Sequence, residues 1–125
     1  MEQCFVLTGR IPSKKNSRIT VRATGRSFPS KAFAQWHKVA MAQVMEQKLA
    51  KPPLNAVQYH VEIQVSFPTL GRADLTNKAE SVMDLLVDAG VIRDDCWTCV
   101  PTLLLRGRKD AQSPGATVYV REEFL

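Results

Sequence analysis

The sequence lacks any long apolar run, since no stretch approaches the roughly 20 residues that a transmembrane helix needs. It has only three cysteines, an odd number that favours a reducing compartment over a disulfide scaffold. No internal repeat or low-complexity tract is present, and apolar residues make up 45%, which excludes a collagen-like or disordered chain. The first residues lack a basic n-region, so we expect no secretory signal, a cytoplasmic location and no membrane partner.

Acidic residues are scarce in the first part of the chain. Residues 1–51 carry ten basic and two acidic residues, whereas residues 52–125 carry seven basic and ten acidic ones. Six of the twelve acids lie between residues 74 and 95. A basic surface attracts polyanions and an acidic cluster binds cations, and a nuclease that uses Mg²⁺ needs both. The alternative is a solvated surface on which charges cluster by chance.

The hydrophobic pattern predicts a single α+β domain over residues 1–125, with a mixed sheet of about four strands and two main helices. The clearest signal is the strict alternation of apolar and polar residues over 57–67, which is typical of a strand with one buried face. We predict strands over 4–11, 57–67, 97–106 and 116–122 and helices over 30–49 and 74–89, the second closed by Gly90 as its C′ glycine. A long basic loop or loose hairpin is predicted over 12–29 and a hairpin loop over 107–115.

The second predicted helix carries a row of acids. On a helical wheel Asn77, Glu80 and Asp84 lie opposite the apolar side, and Asp74 lies at the helix start. Asp94 and Asp95 follow the helix, and they return to Asp74 only if the next strand pairs beside 57–67. Carboxylates of this kind bind Mg²⁺. The alternative is that Asp74 is a helix N-cap and the other acids form an exposed helix face.

These residues form a recognisable pattern. The run Arg72-Ala73-Asp74-Leu75-Thr76-Asn77, followed by Asp84, Gly90 and Asp94-Asp95, resembles the RusA family of Holliday-junction resolvases. The family pattern is an R-x-D-L-D-N run that opens a helix, a further acid, a glycine and a paired Asp-Asp. The segment from Pro12 to Ser17 is similar to phage-borne members, which implies action in a bacterial host, with a phage or prophage as one source.

The resemblance implies a homodimeric endonuclease that binds four-way DNA junctions and makes paired nicks with Mg²⁺ or Mn²⁺. The family's catalytic set is three aspartates and a lysine; the first and last aspartates fall on Asp74 and Asp95, and Asn77 matches the family asparagine. The middle aspartate falls on Thr76 and the lysine on Glu80. We therefore expect Asp74, Glu80, Asp95 and Asn77 to be catalytic. The expected metal ligands are Asp74, Asp95, Glu80, Asp94 and Asp84.

The two departures leave alternatives open. Glu80 is one helical turn from Thr76 and would replace the missing acid as a ligand. Lys78, Lys14 or Lys15 would then take the cationic role. The other interpretation is a catalytically weak or inactive protein that binds junctions, and a third is a small protein whose basic loop binds an acidic protein partner.

The basic segment predicts contacts with DNA phosphates, which would make binding depend on salt. Phe33 and Trp36 have helical spacing and are expected in the core rather than stacked on bases. No Gly-x-x-x-x-Gly-Lys-Ser/Thr motif occurs, so no nucleotide cofactor is expected. The predicted DNA-binding residues are Lys14, Lys15, Arg18, Arg22, Arg26, Lys31, Arg72 and Lys78.

The pair Cys96 and Cys99 has the C-x-x-C spacing of zinc and redox sites. Zinc needs four ligands, and Cys4, His37 and His60 are widely scattered in the sequence. Thioredoxin-like chemistry places the pair at the start of a helix, whereas here it opens a predicted strand. The sequence therefore gives little support to either a zinc site or a redox site.

Overall fold

The computed structural model describes residues 2–13, 18–20, 22–25, 27–49 and 58–123. A four-stranded mixed sheet, two helices and a small two-stranded sheet confirm the predicted α+β class. Among the described residues, no helix combines the length and apolarity required to cross a membrane. The elements are β1 (Glu2–Thr8), β2 (Arg18–Thr20), β3 (Ser27–Pro29), α1 (Lys31–Leu49), β4 (Tyr59–Phe67), α2 (Leu75–Asp88), β5 (Thr102–Lys109) and β6 (Gly115–Glu122).

The main sheet has the strand order β1-β6-β4-β5. β6 runs antiparallel to both β1 and β4, and β4 pairs in parallel with β5. The predicted strand over 57–67 is confirmed as β4 from Tyr59 to Phe67, on which Val61, Ile63 and Val65 are buried, whereas Val57 lies outside the described residues. This alternation follows because successive strand residues point to opposite faces and only one face packs against the core. β2 and β3 pair with each other inside the segment predicted as a basic loop.

The predicted strand over 97–106 begins too early. The Cys96 carbonyl accepts hydrogen bonds from the Cys99 amide at 3.0 Å and the Val100 amide at 2.8 Å. These bonds fold residues 96–100 into a turn, so β5 starts only at Thr102. The four residues from Cys96 to Cys99 form a closed turn, and a turn cannot be an extended strand at the same time.

The predicted hairpin over 107–115 is wrong, because β5 and β6 lie on opposite sides of β4. β6 buries Ala116, Val118 and Val120 and belongs in the middle of the sheet, whereas β5 is largely exposed at its edge. The connection passes the end of β4, where the Asp110 amide donates to the Phe67 carbonyl at 2.8 Å.

Helix α1 follows the predicted apolar stripe. Phe33, Trp36, Ala40 and Val44 are buried, which confirms the core assignment of both aromatic residues. The helix also covers the outer edge of β1. Gln47 accepts from the Val6 amide at 2.7 Å and donates to the Val6 carbonyl at 2.8 Å. An edge strand presents unpaired backbone groups, and this contact satisfies two of them.

The opposite edge of the sheet is different. No described strand pairs with the outer edge of β5, and Leu103 and Leu104 on that strand are 44% and 41% exposed. The main sheet therefore has one edge covered by α1 and one edge that no described strand covers.

Helix α1 also holds the end of α2. The Lys48 ammonium donates to the Ala89 and Gly90 carbonyls at 3.1 and 3.2 Å. These carbonyls end a helix and lack intrahelical partners, so a cation is stabilising there. Gly90 has φ +70°, which confirms the predicted C′ glycine of α2.

Candidate active site

Asp74 lies at the N-terminus of α2 and is its N-cap. Its carboxylate Oδ1 accepts hydrogen bonds from the Thr76 amide at 3.0 Å and the Thr76 hydroxyl at 2.6 Å. The first amides of a helix lack intrahelical partners, and an aspartate at this position satisfies one of them. The N-cap interpretation of Asp74 is thus confirmed, and an additional role as a metal ligand stays a prediction. Asp74 is also solvent-exposed, so a ligand can reach it.

An acidic groove lies between α2 and β5. Glu80 and Asp84 line it from the helix, and Asp95 lines it from the segment before β5. Asp95 reaches this position because β5 pairs beside β4, the pairing on which its expected return to Asp74 depended, but the groove sets it with Glu80 and Asp84 and not with Asp74. Three of the predicted acids therefore share one groove. The remaining lining residues are Thr76, Ala79, Met83, Leu103 and Leu105.

The predicted ligands are not all brought together. Asp74 does not line the groove, and the Asp94 carboxylate accepts from the Asp95 amide at 2.8 Å. In the part of the chain that the structure describes, no three His, Cys, Asp or Glu side chains form a group that could hold a metal ion. Mg²⁺ is usually held by one or two carboxylates plus waters and phosphate oxygens. The hard oxygen donors of Glu80 and Asp95 fit that requirement.

A cationic pocket, lined by Arg10, Arg72 and Lys78, lies at the start of α2. Burial lowers the pKa of Lys78, and the charge of the neighbouring Arg10 guanidinium lowers it further. No carboxylate among the described residues forms an ion pair with any of the three cations. Positive charges held close together without an acidic partner are stabilised by an anion.

Arg10 precedes the basic segment and is not among the predicted DNA-binding residues. It follows Gly9, whose φ of +87° turns the chain at the end of β1. The only sequence signal is a Gly-Arg pair after a strand. That pair does not show that the turn carries Arg10 to the pocket beside α2.

The other predicted DNA contacts are dispersed. Arg22 is exposed between β2 and β3, and Lys31 is exposed at the start of α1. Arg18 lies in β2. Lys14, Lys15 and Arg26 fall outside the described residues. Asn77 is half-buried on α2. Its catalytic role stays a prediction.

The segment that carries Asp95 also carries two thiols. Hydrogen bonds from Thr98 and Cys99 lower the pKa of Cys96, and burial raises the pKa of Cys99. The Cys96 sulfur lies 3.1 Å from the Thr98 hydroxyl oxygen. The structure thus shows two neighbouring thiols of unequal acidity beside the acidic groove.

Comparison with known proteins gives two matches. The sequence model of the family described as Endodeoxyribonuclease RusA matches residues 9–121. A protein named Crossover junction endodeoxyribonuclease RusA, from Aquifex aeolicus (strain VF5), is 24% identical over 97 residues. That alignment covers 76% of this chain and 74% of the relative.

Proposed function

This chain belongs to the RusA family of endodeoxyribonucleases, and from that premise we propose that it cuts four-way DNA junctions by paired nicks in a metal-dependent reaction. Membership in this family implies a nuclease. The name of the Aquifex aeolicus relative supports a crossover junction as the substrate. The observation that carries the proposal is the placement of an acidic groove and a cationic pocket beside the same helix, α2.

The acidic groove is the proposed metal site. Glu80 and Asp95 would hold Mg²⁺ or Mn²⁺, and Asp74, Asp84 and Asp94 are the remaining candidate ligands. A divalent cation would supply positive charge to the phosphate and lower the pKa of an attacking water. Glu80 contributes a negative charge where the family has a lysine, so its role is that of a ligand and not of a cation that stabilises a leaving oxygen.

The cationic pocket is the proposed phosphate site. Arg10, Arg72 and Lys78 converge on one small pocket, so they can bind the sugar-phosphate backbone without reading base edges. Such contacts position the strand and release counterions, which makes binding weaker at high salt. Arg22 and Lys31 are exposed away from this pocket and would contact other phosphates of the junction arms.

The dimer is also proposed. A four-way junction has approximate two-fold symmetry, and a symmetric dimer presents one site to each of two opposed strands. The outer edge of β5, with which no described strand pairs, suits such a contact, because antiparallel pairing with a second copy centred on Leu104 sets Leu103 opposite Leu105. The same register sets Arg106 opposite Thr102, so like charges do not face each other. Replacing Leu104 by Lys should shift the protein from dimer to monomer in sedimentation equilibrium.

The test is cleavage of a labelled four-way junction beside a linear duplex of matching sequence, with Mg²⁺, with Mn²⁺ and with EDTA. Paired nicks confined to the junction and to the metal-containing reactions are expected. Asp95→Asn should abolish nicking while junction binding persists. Glu46→Gln is the matched control, since Glu46 is an exposed carboxylate on α1 away from the groove. Cleavage by Asp95→Asn at the wild-type rate would remove Asp95 from the site.

A second candidate function is junction binding without cleavage. It is favoured by Thr76 and Glu80, which stand where the family has an aspartate and a lysine, and by the lack of a three-carboxylate group among the described residues. On this alternative the protein binds the junction tightly and leaves it uncut with either metal.

A further inference from the structure

The turn between α2 and β5 carries a chemistry that the nuclease function does not use. Cys96 is exposed and Cys99 is half-buried, and the Cys96 sulfur lies 3.1 Å from the Thr98 hydroxyl oxygen between them. The sequence argument against a redox role depended on the pair opening a strand. In the structure the pair spans a turn instead, and β5 begins three residues later, so a disulfide here would be a local bridge across a turn and not a thioredoxin-like site.

The backbone of this turn already suits a disulfide. The Cys99 amide donates to the Cys96 carbonyl at 3.0 Å, which closes a four-residue turn, and such turns bring their end Cα atoms within about 7 Å. A disulfide needs a Cα separation of roughly 4.4–6.8 Å. The two sulfur atoms can therefore be joined with a small local movement and without unfolding either neighbouring element.

We propose that Cys96 and Cys99 form a reversible intramolecular disulfide that controls the position of Asp95 in the acidic groove. The oxidant is a small-molecule disulfide such as glutathione disulfide. The exposed Cys96 sulfur bonds to one glutathione sulfur and breaks the S–S bond, which releases one glutathione thiol. The Cys99 sulfur then attacks Cys96 and releases the second glutathione. The protein loses two electrons and two protons, and the oxidant gains them as two thiols.

The consequence follows from covalent geometry. Joining the sulfurs draws them together to about 2.05 Å, the length of an S–S bond. Cys96 directly follows Asp95, so this contraction shifts the backbone that places the Asp95 carboxylate opposite Glu80. A displacement of about 1 Å at a reacting group can cost roughly 100-fold in rate. We expect the oxidised protein to cut junctions about 10- to 100-fold more slowly, with full recovery on reduction.

The expected rate change rests on the proposed nuclease function, whereas disulfide formation does not. The first arm therefore counts free thiols and maps the bond by peptide mass spectrometry in the full chain, with glutathione disulfide or with dithiothreitol. Glutathione disulfide should lower the number of free thiols from three to one, and the remaining free thiol should be that of Cys4. Cys4→Ser is the matched control and should still form the bond, whereas Cys96→Ser and Cys99→Ser should not. Thiols that stay reduced, or a bond between two chains, would overturn the proposal.

The second arm measures junction cleavage by the same samples. Oxidised wild type and Cys4→Ser should both be slow and recover with dithiothreitol, and Cys96→Ser, which lacks the thiol that attacks the oxidant, should be insensitive to it. If the intramolecular disulfide forms and the cleavage rate stays unchanged, the proposal that the disulfide controls the position of Asp95 is overturned. If the reduced protein does not cut at all, the proposed nuclease function fails. The fluorescence of exposed Trp97, which lies inside the turn, then decides whether oxidation moves the turn, and an unchanged spectrum overturns the proposal.

Discussion

Asp74 combines a structural and a proposed catalytic role, and two substitutions separate them. Asparagine keeps a side-chain oxygen that can accept from the Thr76 amide, and asparagine and aspartate are comparable N-caps. The Asp74→Asn change removes the negative charge near the positive end of the α2 dipole, which costs about 0.3–1 kcal/mol. Asp74→Ala removes both bonds to Thr76 and should cost about 1–2 kcal/mol.

These free energies convert to melting temperatures. For a chain of 125 residues, a loss of 1 kcal/mol lowers Tm by about 4 °C, between the values for smaller and larger domains. Asp74→Ala should therefore melt about 4–8 °C below wild type, and Asp74→Asn about 1–4 °C below it. Circular dichroism melts measure this difference, and junction cleavage is assayed well below both transitions.

The two readouts have different refutations. Cleavage should fall at least 100-fold in both variants if the carboxylate takes part in the reaction, as expected for loss of a transition-state charge contact. Wild-type cleavage by Asp74→Asn would show that Asp74 is a cap alone. An Asp74→Ala protein as stable as wild type would refute the stabilisation that we assign to the N-cap bonds of Asp74. Thr76→Val tests the shared bond, because its cost should largely vanish in the Asp74→Ala background.

Four further outcomes are expected. Lys78→Gln and Arg10→Gln should each weaken junction binding and reduce the slope of log affinity against log salt by about 1, whereas Arg121→Gln, at the opposite end of the sheet, should change neither. Gly115→Ala should destabilise the fold by about 3 kcal/mol or more in urea denaturation, since φ is +154° and a Cβ would overlap the Leu7 carbonyl oxygen. Iodoacetamide should alkylate Cys96 at lower pH than Cys99, because a hydrogen bond from Thr98 lowers the pKa of Cys96 and burial raises that of Cys99. Thr98→Val removes that hydrogen bond and should shift the pH–rate profile of Cys96 alkylation to higher pH.

The elements that the sequence predicts well are those whose signal is local. β4 shows an alternation over its whole length, and α2 has an N-cap at Asp74 and a C′ glycine at Gly90. Each signal depends on residues within one element, so no knowledge of the rest of the chain is needed.

The elements that it predicts poorly depend on distant partners. The apolar run that begins at Val100 looks like the inside of a strand, yet two hydrogen bonds to Cys96 delay β5. The Ser113-Pro114-Gly115 segment looks like a hairpin turn, but it leads to a strand on the far side of β4. The sequence could bring Asp95 back to Asp74 only on the condition that the next strand pairs beside β4, and it did not predict the position of Asp95 in a groove with Glu80. No local pattern like those of β4 and α2 indicates that Arg10 contributes to the cationic pocket.

The position of β6 in the sheet constrains how the protein folds. β6 separates β1 from β4, so the first strand has no partner until the last one is available, and Glu2 pairs with Arg121. The unit β4–α2–β5 contains most of the candidate acids and can begin to form earlier from contacts closer in sequence. Closing such distant pairings costs loop entropy, which places folding in the slower range of two-state domains, about milliseconds to seconds. During synthesis the sheet cannot close until β6 has emerged, and until then the apolar faces of β1 and β4 stay open to chaperones and to aggregation.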